Sequence, residues 1–227
     1  MKPWVVLGNA RTPDGTELTL TSHASEYVIT ANRETLMSSR AHGSEDALAV
    51  LGCQRARTLA APRVLIGGLG MGFTLRTALD VLPPSARVIV AELVPAVVEW
   101  NRGPLGAVAN YPLRDPRVRV EERDVAVTIH SNRAAFDAVL LDVDNGPAAM
   151  TTASNATLYG REGLSLLRGA LTAGGILALW SAREDSRFER TLRAAGFEVR
   201  RELVNTRSNK RGARHTILVA HNIGAAE

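Results

Sequence analysis

Cysteine and lysine are both scarce in this sequence of 227 residues. Cys53 is the single cysteine, which excludes an intramolecular disulfide and a zinc site built from a cysteine cluster. Lys2 and Lys210 are the only lysines, so arginine supplies nearly all of the basic charge. The net charge of +4 is small, and no block of consecutive cations marks a phosphate-binding stripe. Nucleic acid is therefore a partner that the sequence permits but does not favour.

Long apolar runs are also missing. A membrane-spanning helix needs about 18 consecutive apolar residues, and no run in this sequence approaches that length. Near the amino terminus the apolar run extends only from Trp4 to Leu7, which is shorter than the core of a signal peptide. Hydrophobic residues make up 45% and charged residues 22%, which is the balance of a globular protein with a substantial core. We expect no membrane association and a cytoplasmic location.

The pattern of elements predicts two units. Residues 1–42 contain short β-rich pieces separated by turns, which indicates a small antiparallel β-hairpin unit. Residues 43–227 alternate fully apolar strands with helices, the pattern of a parallel sheet covered on both faces. The last two strands are too close in sequence for a helical crossover and should form a hairpin. We therefore predict an α/β fold with a doubly wound, mostly parallel, seven-stranded sheet.

A glycine-rich turn lies between a predicted strand and a predicted helix. Its glycines Gly68, Gly70 and Gly72 let the backbone turn tightly and approach a ligand at a helix amino terminus. Glu92 ends the next strand, 20 residues after Gly72, where a carboxylate can accept both hydroxyls of a ribose. The glycine spacing differs from the dinucleotide fingerprint, and no phosphate-loop lysine follows. The turn therefore predicts a site for a nucleoside without a pyrophosphate, such as S-adenosylmethionine or a relative.

Three more acidic positions follow strands at the same predicted edge of the sheet. Asp124, next to Val125, either accepts from an adenine amino group or caps a helix, and one residue can do both. Asp142 directly follows an apolar strand and can hold an ammonium group or take its proton. Asp144 lies in an Asp-Asn-Gly-Pro segment that is typical of a turn. Asp144 and Glu45 are candidate secondary anchors for a substrate.

These motifs resemble the polyamine aminopropyltransferases, the family of the spermidine synthases, on the Rossmann-like fold of class I methyltransferases. The matching stretches are Pro62–Gly72, Val90–Leu93, Asp115–Val118 leading to Asp124, Phe136–Asp142 and Leu171–Ile176. The sequence departs from the family inside the glycine turn, where the family has an aspartate that helps hold the aminopropyl amine and this chain has Met71 or a neighbouring glycine. It also departs at Gly43–Leu48, where the family's tyrosine–glutamine/histidine–glutamate pattern is missing.

The resemblance implies a transferase that alkylates an amine-bearing small molecule. In the family the glycine turn and the acid matching Glu92 hold the nucleoside, the acid matching Asp124 contacts adenine, and the acid matching Asp142 deprotonates the attacking amine. The donor is S-adenosylmethionine or its decarboxylated form, and the residues leave methyl and aminopropyl transfer both open. A methyltransferase acting on a small molecule or RNA, and a non-catalytic nucleoside-binding relative, are the alternatives. A homodimer is left open, and the five histidines show no spacing that predicts a metal site.

Overall fold

The computed structural model describes residues 3–142, 158–206 and 213–223. Its amino-terminal part is an antiparallel sheet in which four consecutive strands pair in sequence order. These strands are β1 (Val5–Arg11), β2 (Glu17–His23), β3 (Glu26–Ala31) and β4 (Glu34–Ser38). The turn between β1 and β2 contains Gly15 at φ +91°, which favours glycine. The antiparallel unit expected from the sequence is therefore confirmed, with β4 as a strand that the sequence pattern did not reveal.

The second sheet has seven strands in the order β10-β11-β9-β8-β5-β6-β7. Its strands are β5 (Arg63–Gly67), β6 (Arg87–Glu92), β7 (Val118–Glu122), β8 (Phe136–Leu141), β9 (Leu171–Ser181), β10 (Phe197–Asn205) and β11 (Arg214–Asn222). The five strands from β5 to β9 pair in parallel, and β11 pairs antiparallel with both β9 and β10. The mixed edge and the closing hairpin match the prediction, and so does the doubly wound α/β architecture.

Six α-helices that lie wholly within the described residues cover the two faces of this sheet. They are α1 (Gly43–Gly52), α2 (Phe73–Val81), α3 (Pro95–Arg102), α4 (Val125–His130), α5 (Arg161–Ala170) and α6 (Ser186–Ala194). The residues Gly43 and Ser44 before two acidic residues are typical of a helix cap, but the cap position belongs to His42, which makes no side-chain cap bond. The Ser44 side chain is instead buried and bonds to His215 of β11, 171 residues away.

Two clusters of buried apolar side chains lie on opposite faces of the seven-stranded sheet. One combines α1, α2 and α3 with Leu18, Leu20 and Ile29 of the antiparallel sheet. The other combines α4, α5 and α6. The strands β5 and β8 contribute to both clusters, which explains the apolar runs Val64–Ile66 and Ala138–Leu141. Because parallel strands point the same way, the carboxyl ends of β5, β6, β7 and β8 meet at one edge, where the predicted site residues lie.

Candidate functional site

The glycine turn joins the carboxyl end of β5 to the start of α2. Gly68, Gly70 and Gly72 have φ values of +88°, +52° and +85°, in the left-handed region that glycine tolerates best. A side chain at Gly72 would also approach Asn101 Oδ1 to 2.9 Å. The sequence therefore needs glycine here for both backbone conformation and space, as the spacing predicted.

Glu92 lies directly against this turn. Its Oε2 accepts a hydrogen bond from the Leu69 amide at 2.8 Å, and its Oε1 accepts from the Val94 amide at 2.8 Å. The side chain is buried, with 7% of its surface exposed. The turn and the carboxylate thus form one hydrogen-bonded unit, as expected if both contact the same ligand.

Asn101 of α3 is a residue of this unit that the sequence reasoning missed. Its Nδ2 donates to the carbonyl oxygens of Gly70 at 2.8 Å and Val97 at 2.9 Å, while its Oδ1 is buried and has no hydrogen-bond partner among the described residues. The sequence around an asparagine within a helix does not reveal such a contact, because the contact depends on the packing of α3 against the turn.

Asp124 and Val125 follow β7, one strand further along the edge. The Asp124 carboxylate accepts from the Ala126 amide at 2.8 Å, so it caps α4, one of the two predicted functions. The other predicted function of Asp124, accepting a hydrogen bond from an adenine amino group, stays a prediction. Val125 is buried and packs against the end of β5, since a side chain at Gly67 would come within 2.9 Å of it. Both residues therefore lie beside the turn.

A pair of carboxyl groups lies on the other side of the glycine turn. Asp142, after β8, accepts a hydrogen bond from Thr74 Oγ1 at 2.7 Å, and Thr74 belongs to the first turn of α2. Burial raises the pKa of Asp142 to about 6. Burial, followed by the negative charge of Asp142, raises the pKa of Glu45 to about 7. The two groups therefore act as one acidic pair that binds a proton far more readily than ordinary carboxylates do.

Glu45 is connected to the antiparallel edge of the sheet through Ser44. The Ser44 hydroxyl donates to Glu45 Oε2 at 2.6 Å, and His215 Nδ1 lies 2.9 Å from the same hydroxyl oxygen. A hydroxyl has only one hydrogen, so a serine that donates to Glu45 must accept from His215. The His215 ring packs edge-on against Trp180, with 4.6 Å between centroids, and burial lowers the pKa of this histidine. We had not assigned His215 any part in the site.

A second polar network fixes α1 against α2. Asp46 accepts from Thr77 Oγ1 at 2.8 Å and lies 2.8 Å from His42 Nδ1. The His42 ring stacks on Phe73, with 4.0 Å between centroids and an angle of 11° between the planes. These contacts determine how α1 presents Glu45 to Asp142.

The remaining predictions concern Asp144, metals, membranes and the closing hairpin. Asp144 lies outside the described residues. No group of histidine, cysteine and acidic side chains able to hold a metal is found among residues 3–142, 158–206 and 213–223. No helix in those ranges is long and apolar enough to cross a membrane. On the hairpin, Arg200 pairs with Glu202 at 3.1 Å and Arg201 with Glu184 at 2.8 Å, so part of its positive charge is neutralised.

The comparisons with known proteins give a clear result at the level of fold. Neither a protein family model nor a curated protein matches the chain. Among solved structures it is similar to the spermidine synthase of Thermotoga maritima, with a TM-score of 0.73 and 19% identity over 96% of this chain and 72% of that one.

Two further solved structures are similar to the chain over nearly its whole length. A spermidine synthase in complex with the transition-state analogue AdoDATO has a TM-score of 0.72 and 18% identity, over 96% of this chain and 72% of that one. A probable spermidine synthase from Corynebacterium glutamicum ATCC 13032 has a TM-score of 0.64 and 18% identity, over 95% and 80%. The chain therefore has the fold of the spermidine synthases, a seven-stranded α/β sheet preceded by a four-stranded antiparallel sheet.

Proposed function

We propose that the protein is an S-adenosyl-donor transferase that alkylates an amine-bearing small molecule by aminopropyl transfer. The observation that carries this proposal is the acidic pair Asp142–Glu45 beside a glycine turn that Glu92 holds in place. Adjacent nucleoside and ammonium sites are what such a reaction requires. The similarity to spermidine synthase structures, one of them with a transition-state analogue bound, supports the same proposal.

The glycine turn and Glu92 form the donor half of the site. Glu92, which ends β6 beside the turn, is the candidate acceptor for the ribose hydroxyls, and Asp124 is the candidate acceptor for an adenine amino group. The donor supplies an electrophilic carbon attached to a positively charged sulfur. The residues of this chain hold the nucleoside so that this carbon points towards Asp142.

The acidic pair forms the acceptor half. An ammonium group first transfers a proton to Asp142 or Glu45, which frees the nitrogen lone pair. That lone pair forms the new C–N bond while the C–S bond breaks. The two electrons of the C–S bond remain on sulfur, which leaves as a neutral thioether. A base whose pKa lies near neutrality suits this proton transfer better than an ordinary carboxylate. Holding the two reactants in line can supply about 7–11 kcal/mol of the barrier.

Methyl transfer is the second candidate, and Met71 is the observation that favours it. Met71 is buried and carries no charge, whereas the resembling family has an aspartate in the turn for the aminopropyl amine. Without that carboxylate, a donor that keeps its methionyl group could present its own ammonium to Asp142. The two candidates differ in the donor that the glycine turn accepts, S-adenosylmethionine or its decarboxylated form.

Donor binding by calorimetry is the decisive experiment. Tighter binding of the decarboxylated donor supports aminopropyl transfer, and tighter binding of S-adenosylmethionine supports methyl transfer. Glu92→Gln should weaken the preferred donor about tenfold or more, because a buried charge-assisted contact is lost. Glu122→Gln is the matched control, since Glu122 ends the neighbouring strand β7 and is exposed. If neither donor binds the wild-type protein, the transferase proposal is wrong and a non-catalytic relative remains.

Turnover with a linear diamine tests the acceptor half. Asp142→Asn should keep donor binding and lose about 100-fold to 10,000-fold in rate, the usual contribution of a positioned base. Asp80→Asn, on the exposed side of α2, should leave the rate unchanged. Unchanged turnover in Asp142→Asn would remove Asp142 from the mechanism while leaving the donor site intact.

A further inference from the structure

A second concave site lies at the opposite edge of the seven-stranded sheet, at the amino ends of its parallel strands. It is an open cleft of about 550 Å³, within the size range of small-ligand sites. The lining residues are Arg63, Pro84, Ser85, Ala86, Arg87, Val88, Ile89, Pro116, Arg117, Val118, Arg119 and Phe136. Four of them are arginines and none is acidic, so the charged side chains that line the cleft are all positive. The glycine turn and Asp142 lie at the carboxyl ends of the strands and take no part in it.

Strand register aligns these arginines. Arg63 and Arg87 are direct partners on the parallel strands β5 and β6, so their side chains leave the same face of the sheet side by side. Arg119 is the partner of Ile89, two residues beyond Arg87, and therefore lies on the same face one step along the strands. Three adjacent strands thus present a row of guanidinium groups over one cleft.

Two of the four arginines are not neutralised. Arg117 binds Asp115 at 2.8 Å and the Leu79 carbonyl at 2.9 Å. Arg119 lies 3.4 Å from Glu121. Arg63 and Arg87, in contrast, make no ion pair within the described parts of the chain. Like charges on directly opposed strand positions are destabilising, so an unneutralised pair of this kind favours an anionic ligand.

The surroundings of Arg63 strengthen this reading. Its guanidinium carbon lies 5.6 Å from the centre of the Phe136 ring, which orients the planar group over an aromatic floor. The carboxylate nearest to the start of β5 is Asp137, which accepts from the Arg63 backbone amide at 2.9 Å and from Thr172 at 3.0 Å. It therefore lies on the backbone of β5 and is already engaged. Planar guanidinium groups match the oxygen pairs of phosphates bidentately.

We propose that this arginine cleft binds a small molecule carrying two or more phosphate groups. Arg63 and Arg87 are its principal ligands, since they are the two guanidinium groups without a carboxylate partner, and Arg119 contributes at the exposed end. The site is separate from the proposed donor site and does not depend on the proposed function. An inorganic oligophosphate and a nucleoside polyphosphate share the chemistry that it recognises.

Calorimetry and NMR titration with sodium tripolyphosphate test the proposal on the full chain. We expect saturable binding that weakens steeply with salt, and a loss of about tenfold or more in affinity in the double variant Arg63→Gln/Arg87→Gln. The matched control is Arg187→Gln/Arg190→Gln, which removes two exposed arginines from α6, a helix that does not line the cleft. ATP distinguishes the sources: tighter binding than tripolyphosphate indicates a nucleotide, and equal binding indicates recognition of phosphates alone.

Three results would overturn the inference. The first is the absence of saturable tripolyphosphate binding, and the second is equal weakening of that binding by the two double variants. The third is a wild-type protein that does not bind tripolyphosphate but binds single-stranded RNA tightly, and that loses RNA binding in Arg63→Gln/Arg87→Gln. All variants replace exposed side chains, so each should fold, and circular dichroism checks this directly.

Discussion

At the scale of single residues, the acidic pair is the feature that most constrains the protein's behaviour. Asp142 directly follows β8 and Glu45 lies on α1, and each has a hydroxyl partner but no arginine or lysine partner among the described residues. The Thr74 hydrogen bond lowers the pKa of Asp142, but burial outweighs it. The pair therefore holds a proton in the folded protein at pH values where the unfolded chain has lost it.

This difference predicts how stability changes with pH. Between about pH 4.5 and 7 the folded state binds more protons than the unfolded state, so the free energy of unfolding should fall as pH rises. Burial raises the pKa of Asp142 from 3.8 to about 6. Each unit of pKa difference corresponds to about 1.36 kcal/mol, so Asp142 alone should contribute a decline on the order of 3 kcal/mol. Asp142→Asn should remove most of this decline, and urea unfolding at several pH values measures it.

The control for that experiment is Asp80→Asn, which should keep the wild-type slope. His215 contributes with the opposite sign, because burial lowers its pKa and its share of stability is lost as the pH falls below about 6.5. The comparison of Asp142→Asn with wild type cancels this contribution. A slope that is the same in both proteins would show that Asp142 ionises normally in the folded state.

At the scale of elements, the glycine turn depends on its neighbours as much as on its own backbone. A methyl group added at Gly72 would approach Asn101 Oδ1 of α3 to 2.9 Å, whereas one added at Gly70 would approach the sulfur of Met37 from β4 to 3.3 Å. Both glycines have positive φ, so both pay a similar conformational cost on substitution. They differ in what an added methyl group would meet: a fixed amide oxygen at one position and a flexible side chain at the other.

We therefore predict that Gly72→Ala destabilises the protein more than Gly70→Ala. Each loses about 1–2 kcal/mol from the left-handed backbone. Gly72→Ala loses on the order of 1–3 kcal/mol more, because crowding in a packed region forces neighbours to shift. Chemical denaturation of the two variants provides the comparison. Equal losses would mean that Asn101 moves aside freely and does not fix the turn.

Local patterns revealed the elements at this edge of the sheet but not the contacts between them. The apolar run of β5, the glycines after it and Glu92 are adjacent or regularly spaced, so their arrangement could be predicted. The bond from Ser44 to His215 joins residues 171 positions apart, and it depends on the register of β11 against β9. Strand β4 escaped notice because its apolar residues are adjacent and its pairing with β3 shifts register.

At the scale of the whole molecule, the two sheets share one hydrophobic cluster. Leu18, Leu20 and Ile29 pack in the same cluster as α1 and α2. The first strand also approaches α3 closely, since a side chain at Gly8 would come within 2.5 Å of the Trp100 ring. The boundary near residue 42 stays a prediction about domain organisation, and these contacts indicate that folding crosses it.

The shared cluster predicts a single cooperative unfolding transition. Leu20 is fully buried, so Leu20→Ala should lower the free energy of unfolding of the whole chain by about 2–5 kcal/mol. Leu7→Ala, on β1 with 40% of its surface exposed, should change it by less than about 1 kcal/mol. Trp4 contacts His23 of β2, so the measurement uses a Trp4→Phe background. In that background the fluorescence of Trp100 and Trp180 reports on the seven-stranded unit, while Leu20 belongs to the other sheet. If Leu20→Ala leaves the tryptophan transition in place and creates a second, earlier one by circular dichroism, the two sheets fold independently, and the antiparallel sheet then supplies Met37 to the glycine turn only by docking.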